Sequence, residues 1–154
     1  MEEFINSLHS DKTEQDARLS NVIVLAFVGD SLFCSYVRVY LANNFLEKAR
    51  KLHLQANSFV KASSQAYVFN VLKEQNYFTE DELNVAGRAR NAKLSHIAKN
   101  ATLEDYKLAT AFESVCGYMF FSNKKQRLLE TMEKAINIIT ELKEEKNNAN
   151  RRKK

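Results

Sequence analysis

Proline and tryptophan are absent from the 154 residues, glycine occurs three times and cysteine twice. A chain without proline and nearly without glycine lacks the two residue types that most readily break a helix. The two cysteines, Cys34 and Cys116, stand inside apolar runs with no CxxC spacing and no nearby histidine. That argues against a zinc site and for free, buried thiols. No apolar stretch reaches the roughly 18 residues of a membrane span, because Asp30 and Arg38 interrupt the longest candidate. The start, MEEFINSLHSDK, lacks the basic-then-apolar order of a secretion signal. A single-domain cytoplasmic protein is expected.

Leu, Ala, Lys, Glu and Asn are plentiful instead, and a hydrophobic content of 45% with 10% aromatic suffices for a compact core. The fold class expected is all-α. Residues 1–19 read as a polar lead-in or short helix, 20–140 as the folded domain, and 141–154 as a charged, basic and disordered tail. Ser20 and Asn21 offer N-cap chemistry to a helix over about Asn21–Leu41. Helical spacing then predicts two helices with a break near Lys61–Ser64, and Thr79 with Glu82 forms a capping box for the next. NAKLSHIAKNA reads as a loop, and a second apolar helix starts near Leu103. The last helix is amphipathic, with Leu128, Leu129, Met132, Ala135, Ile136 and Ile139 on one side.

The net charge of +4 is unevenly spread. The segment from Glu141 carries +3, and the acid-free window Arg88–Lys99 carries +4 through Arg88, Arg90, Lys93 and Lys99, so the remainder is slightly acidic. Two localised anion-binding segments are the natural reading of that layout.

Two carboxylates stand out. Asp30 is the lone acid in VIVLAFVGDSLFCSYV, and Glu113 is nearly alone in LEDYKLATAFESVCGYMFF. At helical offsets Asp30 neighbours Ile23, Ala26, Phe27, Phe33, Cys34 and Val37, and Glu113 has similarly apolar or small neighbours. A carboxylate so placed is protonated, paired or bound to a metal. One reading is a structural salt bridge, such as Arg38 with Asp30; the other is that the acids converge from two packed helices on a divalent cation. Gly29 before Asp30 and Gly117 one turn after Glu113 fit a close approach of those helices.

LAFVGDSLFCSYVR resembles the ribonuclease III signature built around LEFLGDAVL, and ATAFESVCGYMFF resembles that family's second motif, ADAFEALIGALYLD. Where ribonuclease III proper has a further Glu and Asp, this chain has Ala26 and Thr110. At both places it is similar to the Mini-ribonuclease III branch, which lacks a double-stranded-RNA-binding domain. Leu52, His53, Ala56–Val60 and the R-x-R-N-A segment of Arg88, Arg90, Asn91 and Ala92 also match.

The resemblance implies a homodimeric, all-helical endoribonuclease that cleaves double-stranded RNA with Mg²⁺, Mn²⁺ being able to substitute, and leaves 5′-phosphate ends. It implies precursor large-subunit (23S) ribosomal RNA as substrate, with a ribosomal protein as a candidate for presenting it. Asp30 and Glu113 become the catalytic, metal-binding pair. Arg88, Arg90, Asn91, Lys93 and Lys99 become the RNA contacts, with His96 a weaker one. Duplex RNA is read through shape, phosphates and 2′-hydroxyls, so a basic loop is adequate. Thr110 is expected to hydrogen-bond Glu113 or a metal water, and His53 to be structural. The rival readings are a non-catalytic RNA-binding relative, and a structural dimerisation protein using the Leu128–Ile139 face as its interface.

Overall fold

The computed structural model describes residues 1–93 and 102–152. Eight helices follow in order: α1 Glu2–Ser7, α2 Glu14–Leu19, α3 Val22–Asn44, α4 Ala49–Val60, α5 Ala62–Glu74, α6 Glu80–Asn91, α7 Leu103–Phe121 and α8 Lys125–Arg151. No strand occurs among the described residues, as the composition led one to expect.

Several boundaries are set by single side chains. Asn21 Oδ1 accepts the Ile23 N–H at 2.9 Å and starts α3. Thr79 and Glu82 form the reciprocal capping box of α6, and Thr102 caps α7 through the Asp105 N–H at 3.0 Å. Lys61, in extended conformation, separates α4 from α5. With glycine scarce, asparagine takes the left-handed positions: Asn76 and Asn123, at φ 52 and 60, turn the chain out of α5 and α7.

The centre of the molecule is α7, buried along most of its length and packed against α3, α5 and α6. Phe33 meets Phe112 edge-on at 5.3 Å across the α3–α7 contact, and Phe69 stacks on Phe78. Glu82, wholly buried, accepts two hydrogen bonds from the Arg127 guanidinium at 2.6 and 2.8 Å, which ties α6 to α8. The lead-in is docked: Ile5 and Ala17 are buried, and Lys125 donates to the carbonyls of Asn6 and Leu8.

Three expectations are corrected. By length and composition α3 does reach what a membrane crossing needs, despite Asp30 and Arg38, but Leu25, Phe33 and Val37 are buried in the helical core, which accounts for one face of it. The tail is not disordered from residue 141, since α8 continues to Arg151. Once the apolar part of a helix is docked, extending it through Glu, Lys and Ala needs no new nucleus. The Leu128, Met132, Ala135, Ile136 and Ile139 face lies inside this chain's own core, so it is not a free dimer interface.

Candidate active site

Two glycines bring the carboxylates together. A Cβ on Gly29 would run into the carbonyl oxygen of Glu113, and one on Gly117 into that of Leu25. The backbones of α3 and α7 therefore touch, which only hydrogen in place of a side chain permits. Ser114 Oγ donates to the Val22 carbonyl at 2.8 Å and fixes the register of the crossing. Asp30 follows Gly29 directly, and Glu113 is the residue whose backbone Gly29 meets.

Both side chains are half-buried. Burial first, and the Asp30 charge second, push the Glu113 carboxyl up to about 8. The side-chain amide of Gln65 reaches Glu113 and opposes that rise. Asp30 Oδ1 accepts from Cys34 Sγ at 3.3 Å. The Cys34 thiol is held up to about 11 by burial and by Asp30, so it serves as a neutral donor. Cys116 is a free thiol as expected and fully buried, whereas Cys34 is only half-buried.

The salt-bridge alternative does not form. Arg38 donates to the Cys34 carbonyl at 3.1 Å, and among the described residues neither Asp30 nor Glu113 enters an ion pair. The Asp30 charge is thus felt at Glu113, and neither carboxylate has an ion-pair partner among the described residues. Thr110 does not serve Glu113 either; its hydroxyl donates to the Tyr106 carbonyl at 2.9 Å. Ala26 and Thr110, one turn before Asp30 and Glu113 on their helices, are both buried. His53 is exposed and borders, with Arg38, Leu52 and Ala56, a cavity of about 260 Å³.

Gln65 was not foreseen. It is 1% exposed, its Nε2 donates to the Val60 carbonyl at 2.8 Å, and its Oε1 has no hydrogen-bond partner. The sequence did hold a signal, because Gln65 precedes Phe69 and Leu72 by four and seven positions and so shares their buried face. No group of three or more His, Cys, Asp or Glu side chains able to hold a metal occurs among the described residues. The donor set is two carboxylates and one orphaned amide oxygen, all hard oxygens, without a cation to balance them. It fits Mg²⁺, which keeps several waters and takes one or two carboxylates.

The basic window divides. Arg88 braces the α2–α3 junction by donating to the Arg18 and Ser20 carbonyls, and Arg90 pairs with Glu104 at 2.8 Å. Asn91 and Lys93 are exposed at the end of α6. Lys99, His96 and most of the expected loop lie outside the described residues.

Residues 23–124 match the family described as Ribonuclease III domain. A protein named Mini-ribonuclease 3 from Brevibacillus brevis is 40% identical over 86% of this chain and 97% of its own. Those of the same name from Clostridium tetani and Staphylococcus aureus are 38% and 34% identical, over 87% and 85% of this chain and 88% and 98% of theirs. A crystal structure of a Fusobacterium nucleatum protein superposes with a TM-score of 0.70 at 25% identity, over 79% of this chain and 96% of that one.

Proposed function

The chain belongs to the ribonuclease III family and is an endoribonuclease of the Mini-ribonuclease 3 kind, and on that premise we propose that Asp30 and Glu113 form a divalent-cation site that cleaves double-stranded RNA. The observation that carries this reading is the convergence of two uncompensated carboxylates at the glycine-mediated contact of α3 and α7. Mg²⁺, with Mn²⁺ as substitute, would be held by these two side chains and supplies charge neutralisation at the scissile phosphate and an acidified water.

The chain's own residues perform the positioning. The Cys34 thiol orients Asp30, and the Gln65 amide orients Glu113 and favours its ionised form. Ala26 and Thr110 contribute no acid, so water and RNA phosphate oxygens complete the ligand shell. The products carry 5′-phosphate ends. Asn91, Lys93 and Lys99, together with Arg90 and Arg88, contact the RNA backbone.

The protein works as a homodimer through the outer face of α3. Ile23, Val24 and Phe27 are exposed there, Phe27 at 74%, one helical turn from Asp30. A two-fold axis on that face sets one site against each strand of a duplex. Precursor large-subunit ribosomal RNA in the bacterial cytoplasm is the substrate carried over by the family resemblance, with a ribosomal protein as the partner that presents it.

Asp30→Asn and Glu113→Gln test the assignment. Each is expected to lower cleavage of an RNA duplex at least 10³-fold, on the scale of losing a metal's share of transition-state stabilisation, while duplex binding and thermal unfolding stay near wild type. Near-normal cleavage by either variant overturns the metal-pair assignment. A wild type that binds the duplex but fails to cut it favours the non-catalytic RNA-binding reading instead.

A further inference from the structure

Lys143 is a poorly compensated cation. Its Nζ lies 3.4 Å from the centroid of the Phe59 ring and donates to Ser58 Oγ, half-buried in the angle between α8 and the α4–α5 corner. Burial, with the Lys61 charge second, pushes its pKa down to about 8. Lys146 follows one turn later on α8. No acid stands three or four positions from Lys61, Lys143 or Lys146, and among the described residues none of the three forms an ion pair. The α8 acids Glu141, Glu144 and Glu145 fall off that spacing and are exposed.

These lysines border open space. Two adjoining cavities of about 450 and 440 Å³ share Ser58, Lys143 and Lys146; the first also reaches Lys61, Ser63 and Ser64. Lys61 is the N-cap of the 13-residue α5 and supplies no side-chain cap, and Ser63 and Ser64 of the first turn line the same cavity. Gln65, in that same first turn, is buried and lowers the pKa of Glu113. One turn of α5 therefore contributes Ser63 and Ser64 to the cleft and Gln65 to the surroundings of Glu113.

We propose that Lys61, Lys143 and Lys146 form a phosphate-binding cleft that grips the backbone of the RNA duplex beside the cleavage site, two of its three cations coming from α8. Three convergent cations with hydroxyl neighbours and no counter-anion call for an anion, and two cavities in series sharing two lysines suit consecutive phosphates of one strand better than a single small ion. The proposal rests on the duplex-cleaving reading above and extends its RNA surface to the C-terminal helix.

Binding of a labelled RNA duplex without divalent cation, measured by fluorescence anisotropy over a range of salt, tests it. The triple variant Lys61→Gln/Lys143→Gln/Lys146→Gln is expected to bind about 10- to 100-fold more weakly and to lower the slope of log affinity against log salt by roughly two to three. Its single-turnover cleavage rate at saturating enzyme stays within about twofold, because these residues touch neither the scissile phosphate nor the carboxylates. Lys143→Arg retains affinity while Lys143→Met does not, which separates charge from packing on Phe59. Should the triple variant unfold, Lys61→Gln alone, at an exposed position, is expected to reduce the slope by about one. Unchanged affinity and slope in a folded variant, with wild type binding and cutting normally, overturn the cleft and leave Asp30 and Glu113 untouched. Saturable binding of inorganic phosphate that the triple variant loses, with RNA affinity unchanged, assigns the cleft to a small anion and overturns it equally. A wild type that neither binds nor cuts duplex RNA removes both readings together.

Discussion

Glu113 is held between two opposing influences, burial beside a second carboxylate and a Gln65 amide that favours its charge. Its folded-state pKa is raised from 4.5 to about 8, so the folded protein binds this proton more tightly than the unfolded chain does. The resulting stability is fully present below about pH 4.5 and is lost as pH rises through 8. Calorimetry in a chelator should therefore show the melting temperature falling between pH 5 and pH 8 by a few degrees more in wild type than in Glu113→Gln. Added Mg²⁺ should flatten the difference, because the cation replaces the proton and its affinity rises with pH. Parallel pH profiles of the two proteins would refute the placement of this carboxyl. That Asp30 and Glu113 sit half-buried on packed helices was legible in the sequence, because a lone acid in an apolar run has few physical explanations. Gln65 was not: an uncharged amide on a buried face is common, and its reason for being there is a carboxylate on another helix.

Among the elements, the crossing of α3 and α7 carries the site. A methyl at Gly117 would have to displace the Leu25 carbonyl, a backbone atom that cannot rotate away. Gly117→Ala is expected to destabilise the fold by at least about 1–3 kcal/mol, as overpacking does, and to lower cleavage more than tenfold by parting the carboxylates. Gly87→Ala is the control. A Cβ there meets nothing within 4 Å, and the change should be neutral or stabilising by about 0.4–1 kcal/mol. Urea unfolding and single-turnover cleavage of both variants check the pair. Helix starts at Asn21 and Thr79 could be read in advance because they depend on local hydrogen bonds, and the break at Lys61 because the apolar spacing lapses there. Helix from Glu141 to Arg151 could not, since it depends on the docking of the residues before it. Nor could the bracing role of Arg88, whose acceptors lie about seventy positions away in sequence.

At the scale of the whole molecule, the exposed apolar edge of α3 makes a prediction about assembly. Phe27→Glu places a charge at the centre of the proposed two-fold interface and should convert a dimer to a monomer in sedimentation, with duplex cleavage falling at least tenfold while helicity is retained. A monomeric wild type, or a variant that stays dimeric and active, would send the interface elsewhere.

The α3–α7 contact also governs when activity can arise. Asp30 and Glu113 lie roughly eighty positions apart, and the helix bearing the second is the one around which α3, α5 and α6 assemble. During synthesis a nascent chain exposes Asp30 early, yet Asp30 cannot meet its proposed partner Glu113 until Gly117 has emerged and closed against Leu25. The two carboxylates thus come together only late in synthesis, when most of the chain has been made.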